Sequence, residues 1–192
     1  MKEVLLLGDS IRMAYQKRVT ELLGGEFHVS APGENCRFAA YTLNSLRMWL
    51  PKLPKPDIIH WNNGLWDTAI LYPEDGCFTH LGEYADALEK ILRELQKTGA
   101  KIVFASSTPV SPEKEFLTTA APPAHKNEDI RRYNAAARII MEQNGIEIND
   151  LYQLVEPHIS EYISADMIHP TPAGVEALAA AVSNKIKEVS HD

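Results

Sequence analysis

The sequence predicts an α/β fold built on a parallel β-sheet. Short apolar runs alternate along the chain with longer segments in which apolar residues recur at helical spacing, and this alternation is typical of β-α-β units. The length of 192 residues is close to that of one α/β domain. We therefore expect a single domain over residues 1–192, with a central sheet of five parallel strands.

Five segments are predicted to be strands because each is short and apolar. They are Glu3–Leu7, Phe27–Ser30, Asp57–Trp61, Lys101–Ser106 and Ile146–Asn149. Four segments have helical spacing, and they begin near Ser10, Leu81, Ile130 and Thr171. Gly99 and Gly145 follow two of these segments as stop signals. Thr171 and Pro172 are predicted to be the N-cap and the first-turn proline of the last helix.

Two segments are predicted to be long loops. Residues 108–126 show little periodicity and contain Pro109, Pro112, Pro122 and Pro123. Residues 67–80 form the second of these segments. Long loops in compact domains often carry function, so both are candidates for the walls of a site.

Charge and composition exclude several classes of protein. The formal net charge is -7, which argues against nucleic-acid binding because phosphate contacts need clustered Lys and Arg. No apolar run approaches the roughly 20 residues that span a bilayer. No leader peptide precedes the first strand, so we expect a cytoplasmic protein, although a chain trimmed of its leader would look the same. Cys36 and Cys77 lack the spacing of a metal or redox motif and are expected to be reduced thiols.

Ser10 is the candidate nucleophile, since it stands where the first strand ends and a helical pattern begins. In open α/β sheets the ligand crevice lies at the carboxyl ends of the strands. The first turn of a helix there presents free amide groups and a positive dipole end to developing negative charge. A serine at this place is also a good N-cap, so Gly8-Asp9-Ser10 alone does not decide between the two interpretations.

A carboxylate and an imidazole near the C-terminus favour the nucleophile interpretation. Asp166 and His169 stand three residues apart, just before the last predicted helix. A serine hydroxyl is a poor nucleophile until a base removes its proton, and that base works best when a carboxylate fixes its tautomer. Among the seven histidines, His169 is the one with this context. We therefore predict a catalytic triad of Ser10, Asp166 and His169.

Gly8-Asp9-Ser10 and Asp166-x-x-His169 resemble the first and last signature blocks of the SGNH (GDSL-like) hydrolase superfamily. The resemblance extends over most of the chain. It implies a flavodoxin-like, three-layer α/β/α sandwich. It also implies hydrolysis of esters or thioesters through an acyl-enzyme, without a metal or organic cofactor.

The resemblance further implies an oxyanion hole. Gly33 fits the glycine of the second block, whose N–H acts with that of Ser10, and a turn glycine with positive φ would be compatible with this role. The third block usually reads Gly-x-Asn-Asp, whereas this chain has Gly64-Leu65-Trp66-Asp67. The string Asn-Asn-Gly-Leu-Trp-Asp is similar to a variant of that block in relatives. Because tryptophan cannot replace the amide donor, Asn62 is predicted to serve, with Asn63 as the alternative.

Three other side chains near these blocks are weaker candidates. Arg12 lies within a turn of Ser10 and could contact an anionic or hydroxyl-rich substrate, be an exposed helix arginine, or form a structural ion pair. Trp66 could form the floor of a sugar or acyl pocket, or belong to the core. Asp9 adjoins Ser10, but neighbours on an extended strand point to opposite faces. We therefore expect Asp9 to anchor the turn.

The predicted activity is that of a serine esterase, and the expected partner is a small-molecule or carbohydrate ester. O-acetyl groups on carbohydrates are the first prediction, because the domain is small and has no lipase-like lid, and by analogy with relatives that act on acetylated sugars. A thioesterase or lysophospholipase would use the same triad. A noncatalytic binding module on this fold is the alternative from another class, motivated by the missing asparagine of the third block. The sequence leaves the oligomeric state open.

Overall fold

The computed structural model describes residues 1–72, 74–115 and 124–191. Its centre is a five-stranded parallel sheet in the order β2-β1-β3-β4-β5. The strands are β1 (Lys2–Leu7), β2 (Phe27–Ser30), β3 (Ile58–Trp61), β4 (Lys101–Ala105) and β5 (Glu147–Asn149). Every predicted strand is confirmed, with each end within one residue of its predicted place.

Helices cover both faces of this sheet. They are α1 (Ser10–Leu23), α2 (Ala39–Trp49), α3 (Leu81–Gln96), α4 (Asn127–Gln143), α5 (Leu151–Val155), α6 (Ile159–Tyr162) and α7 (Pro172–His191). One core joins the sheet to α1, α5, α6 and α7, and a second core joins it to α2, α3 and α4. The predicted three-layer α/β/α sandwich is thereby confirmed.

Strand β1 divides its side chains between the two cores. Val4 and Leu6 enter the first core, Leu5 and Leu7 enter the second, and none of the four is exposed. This alternation follows from the two-residue period of a strand, and burial on both sides is typical of a central parallel strand. Because both faces of β1 are packed in the two cores, the position of its carboxyl end is fixed.

Helix α2 is the main element that the sequence analysis did not predict. Its buried face contains Ala39, Leu46 and Trp49, but also the hydroxyl residues Thr42 and Ser45. Small and polar residues interrupt the apolar stripe, which is why helical spacing is hard to recognise there. In the predicted loop of residues 108–126, Pro112–Glu115 form a short 3-10 turn. Pro122 and Pro123 lie outside the described residues.

The order of the strands reverses at β1, because β2 and β3 lie on its two sides. Open α/β sheets bind ligands at such a switch point, outside the carboxyl ends of the strands. Both cysteines are free thiols, Cys36 buried and Cys77 half-buried. Across the residues that the structure describes, no helix combines the length and apolar character needed to cross a membrane.

Candidate active site

Ser10 is the first residue of α1, directly beyond the carboxyl end of β1. The preceding Asp9 is the N-cap: its Oδ1 accepts a hydrogen bond of 2.9 Å from Ile11 N, and its carbonyl accepts one of 3.1 Å from Met13 N. Asp9 is almost completely buried, and this burial raises the pKa of its carboxyl. Asp9 thus anchors the turn, as predicted, and leaves the half-exposed Ser10 side chain at the edge of the sheet.

Asp166 and His169 lie on a tight turn before α7. Ser164 N donates to His169 O at 2.8 Å and Met167 N donates to Ser164 O at 2.8 Å, so the turn closes on itself. Met167 has a φ of 72°, a conformation that costs energy in a non-glycine residue and is often found at functional sites. Thr171 caps α7 as predicted, since its Oγ1 accepts from Gly174 N at 3.1 Å.

The three predicted triad residues form one hydrogen-bonded chain. His169 Nε2 lies 2.8 Å from Ser10 Oγ, and His169 Nδ1 lies 2.6 Å from Asp166 Oδ2. Both distances are those of direct hydrogen bonds. Ser10 and His169 are 159 positions apart in the sequence, so their contact depends on α1 packing beside α7.

The other carboxylate oxygen of Asp166 is fully bonded within the turn. Asp166 Oδ1 accepts from Ile168 N at 3.0 Å, from His169 N at 2.8 Å and from Ser164 Oγ at 2.9 Å. Partial burial raises the pKa of Asp166, but these hydrogen bonds and the one to the His169 ring outweigh it and hold the pKa well below its usual value. The Asp166 carboxylate is therefore charged while it is hydrogen-bonded to the His169 ring.

The loop that contains Gly33 is bonded to the turn that contains Ser10. Cys36 N donates to Gly8 O at 3.2 Å, which brings residues 33–36 beside the carboxyl end of β1. Gly33 itself is exposed, and a Cβ atom added to it would meet no other atom within 4 Å. Its φ is not among the positive values of this chain, so the interpretation as a turn glycine with positive φ was wrong.

Arg12 links these two segments and does not face solvent. Its guanidinium donates from Nη2 to Glu34 O at 2.7 Å, and from Nε and Nη2 to Gly8 O at 3.3 Å. Only 2% of the residue is exposed. A Cβ on Gly8 would come within 2.7 Å of the Arg12 Cβ, so this glycine makes room for the arginine. The expectation that Arg12 contacts substrate does not agree with this burial, because its donors already hold the Gly33 loop.

Asn62 and Asn63 follow β3, and the amide groups of both are bonded inside the protein. Asn62 Nδ2 donates to Ala105 O at 2.8 Å and lies 3.4 Å from Ser107 Oγ. Asn63 is completely buried, and its Nδ2 donates to Arg37 O and to Thr42 Oγ1, both at 3.0 Å. Asn63 therefore has both amide hydrogens bonded inside the protein, whereas Asn62 has one firm bond and one long contact.

Trp66 is 40% exposed, which is unusual for so large an aromatic side chain. It does not belong to the core, so of its two predicted interpretations the one that remains open is contact with a ligand. The aromatic ring of Phe78, from the same loop of residues 62–80, packs edge-on against Phe38 at 5.0 Å between centroids. Phe38 follows the Gly33 loop directly, so aromatic side chains join the two loops on this side of the sheet.

Asp67 is a positioning residue that the sequence analysis did not single out. Both of its carboxylate oxygens accept from Ala39 N at 3.1 Å, which fixes the start of α2 just after the Gly33 loop. Burial raises the pKa of Asp67 to about 7, although hydrogen bonds from Ala39 N and the Thr79 hydroxyl favour the carboxylate. Its place at the end of the third sequence block was the signal that could have identified it.

Asp67→Asn should change how stability depends on pH. The carboxyl binds its proton more tightly in the folded protein than at the ordinary value of 3.8. Its stabilising contribution is therefore complete below about pH 4 and is lost as the pH rises through about 7. Asparagine keeps an acceptor for Ala39 N and has no such titration. Between about pH 5 and pH 8, wild type should lose about 2 kcal/mol of unfolding free energy relative to the variant.

Urea unfolding at both pH values measures this difference. Asp86→Asn, a change of an exposed carboxylate on α3, is the matched control and should follow wild type. Parallel pH dependence of wild type and Asp67→Asn would contradict the prediction.

Comparison with known proteins identifies a family and structural relatives for this chain. Residues 6–177 match the model of the GDSL-like lipase/acylhydrolase family. The solved lipase/acylhydrolase from Enterococcus faecalis has a TM-score of 0.80 at 19% identity, covering 98% of this chain and 96% of its own. The acetyl xylan esterase AlAXEase has a TM-score of 0.78 at 16% identity, covering 96% and 99%.

The psychrotrophic esterase EstA from Pseudoalteromonas sp. has a TM-score of 0.76 at 13% identity, and both chains are covered completely. No curated protein sequence matches the chain. Fold, site and family match together define a hydrolase that acts on ester bonds. Within that class, the chain belongs to the GDSL-like lipase/acylhydrolase family, as the resemblance of its first and last blocks implied.

Proposed function

We propose that the protein is a serine esterase that cleaves carboxylic esters through an acyl-enzyme on Ser10, and that its substrates are O-acetyl groups on carbohydrates. The observation that carries the proposal is the hydrogen-bonded chain from Ser10 Oγ through the His169 ring to Asp166. In this arrangement His169 is placed to act as the base for Ser10, and the charged Asp166 is placed to stabilise the protonated His169.

In the first half-reaction Ser10 Oγ attacks the ester carbonyl carbon while His169 Nε2 takes the hydroxyl proton. The carbonyl π electrons move to oxygen and form a tetrahedral oxyanion. As this intermediate collapses, the bond to the alcohol oxygen breaks, and His169 gives its proton to the departing alcohol. Asp166 stabilises the imidazolium that exists between these steps. The acyl group is then bound to Ser10.

In the second half-reaction water replaces the alcohol. His169 takes a proton from water as the water oxygen attacks the acyl carbon, and a second tetrahedral oxyanion forms. Its collapse breaks the bond to Ser10 Oγ, which receives the proton back from His169. The carboxylic acid leaves and the enzyme returns to its starting state. Ser10 N, in the first turn of α1, and Gly33 N are the proposed backbone donors to both oxyanions.

The site's surroundings support a short acyl group on a polar alcohol. Side chains of His169 and Asp166 are 42% and 49% exposed, so the part of the chain that the structure describes forms no deep acyl channel around them. Trp66, which follows β3, is exposed and offers a flat apolar surface that suits a ligand with an apolar face. The structural neighbour AlAXEase, an acetyl xylan esterase, supports the same direction.

The rates of hydrolysis of different esters test the substrate class. We expect kcat/KM to be highest for acetyl esters and to fall at least about tenfold from p-nitrophenyl acetate to the octanoate, because an open site cannot bury a long chain. Acetate release from acetylated xylo-oligosaccharides should exceed deacylation of acetyl-CoA and of lysophosphatidylcholine. Preference for the octanoate or the lysolipid would overturn the acetyl assignment, and preference for acetyl-CoA would favour a thioesterase. No reaction with any of these esters would favour the binding module.

Trp66→Ala sharpens the carbohydrate part of the proposal. It should raise KM for acetylated xylo-oligosaccharides severalfold and leave kcat/KM for p-nitrophenyl acetate within twofold, since only the oligosaccharide has sugar rings to stack on the tryptophan. Ile139→Ala, which removes an exposed apolar side chain from α4, is the control. Equal effects of Trp66→Ala on both substrates would argue against a sugar contact.

A further inference from the structure

The side-chain amide of Asn35 is a further candidate donor on the oxyanion side of the site. Of the two predicted donors, Asn63 donates from Nδ2 to Arg37 O and Thr42 Oγ1. Asn62 donates from Nδ2 to Ala105 O and lies 3.4 Å from Ser107 Oγ. Asn35 lies on the loop that contains Gly33 and is half-buried. Among the residues that the structure describes, its Oδ1 has a hydrogen-bond partner and its Nδ2 has none.

The orientation of the Asn35 amide follows from its single bond. Arg37 N donates to Asn35 Oδ1 at 2.7 Å. A backbone N–H can only donate, so the atom facing it must be the carbonyl oxygen of the amide. The Nδ2 group of Asn35 therefore points away from Arg37 N, with two hydrogens available to an acceptor.

The backbone beside Asn35 is held in a costly conformation. Arg37 has a φ of 53°, in the left-handed region that non-glycine residues seldom adopt. Its N–H is bonded to Asn35 and its carbonyl accepts from Asn63 Nδ2 at 3.0 Å. Strain of this kind persists where surrounding contacts determine the conformation, and it is found at sites that need a fixed geometry. Asn63 thus holds the turn that orients Asn35.

The position of this turn places Asn35 near the nucleophile. Cys36 N is 3.2 Å from Gly8 O, and Gly8 precedes Ser10 by two residues. From standard backbone dimensions, the Cα of Asn35 lies within about 10 Å of the Ser10 amide, and its side chain can cover much of the remaining distance. Arg12 fixes the same loop through Glu34 O.

We propose that Asn35 Nδ2 is the third oxyanion donor of this enzyme, in place of the asparagine that Trp66 replaces in the third block. The donor comes from the second block, on the same loop as Gly33. This inference rests on the proposed esterase function and assigns it a further catalytic residue.

Asn35→Asp tests this assignment with little change in shape. The carboxylate still accepts from Arg37 N, so the loop keeps its bond, but the donor is replaced by a negative charge facing the oxyanion. With p-nitrophenyl acetate, kcat should fall about 100-fold to 1,000-fold while KM stays within threefold, as expected for loss of one oxyanion donor. Labelling by a fluorophosphonate should slow in parallel.

Two further variants provide the comparison. Asn44→Asp makes the same chemical change at an exposed position on α2 and should match wild type. Asn62→Ala removes the competing candidate. It should lower the melting temperature, and its loss of kcat should be smaller than that of Asn35→Asp. If Asn35→Asp does not fold, Asn35→Ser retains an acceptor oxygen for Arg37 N, is too short to reach the oxyanion, and should show the same loss of kcat.

The outcomes separate the two proposals. An active wild type with an Asn35→Asp variant within threefold of its kcat would overturn the assignment of Asn35 and leave the esterase function intact. A 100-fold loss in Asn62→Ala with no loss in Asn35→Asp would return the role to Asn62. A wild type that neither hydrolyses the ester nor reacts with the fluorophosphonate would instead remove the function on which the inference rests.

Discussion

Ser10→Ala should abolish ester turnover, with kcat reduced by about 10,000-fold or more, because no other group can form the acyl-enzyme. The change removes one oxygen at a half-exposed position and leaves the Asp9 N-cap intact, so the melting temperature should stay within a few degrees. Turnover of p-nitrophenyl acetate and the mass of the fluorophosphonate adduct are the two measurements. Wild type should gain one adduct on the peptide containing Ser10, and the variant should gain none.

Ser160→Ala is the matched control for this experiment. Ser160 is exposed on α6, and the loss of its hydroxyl should change neither turnover nor labelling. If Ser10→Ala kept more than about 1% of wild-type kcat, after allowance for the residual activity of oxyanion donors alone, Ser10 could not be the nucleophile. Labelling that persisted in the variant would direct the search to another serine.

Asp166→Asn should lower kcat by about 1,000-fold to 10,000-fold without unfolding the turn. The amide oxygen can still accept the bonds from Ile168 N, His169 N and Ser164 Oγ that now reach Asp166 Oδ1. The amide nitrogen, however, then faces His169 Nδ1 and donates to it. This places the ring proton on Nε2, where it cannot accept the proton of Ser10.

The pH profile adds a second readout. Because the hydrogen bonds of Asp166 hold its pKa well below its usual value, protonation of this aspartate should not limit wild-type activity on the acid side. Asp86→Asn serves again as the control and should have wild-type kcat. Near-normal kcat in Asp166→Asn would show that the aspartate does not set the tautomer of His169.

The sequence alone was sufficient to predict the five strands of the sheet. Five short apolar runs became the five strands because a parallel strand is buried on both faces and has to be almost continuously apolar. Helix α2 was missed because its buried face includes Thr42 and Ser45, two hydroxyl residues that interrupt the apolar stripe in the sequence. Tertiary packing there overrides the local pattern.

The sequence by itself also determined the residues of the predicted triad, since a nucleophile at a strand-to-helix junction and an aspartate and histidine on one turn are local features. Only the tertiary structure decided which polar side chains are free to act. Arg12, Asn62 and Asn63 were all candidates from the sequence, with Asn62 preferred, but each donates to a backbone carbonyl of another segment. Hydrogen-bond partners distant in sequence decide whether a polar group is structural or available, and those partners are set by folding.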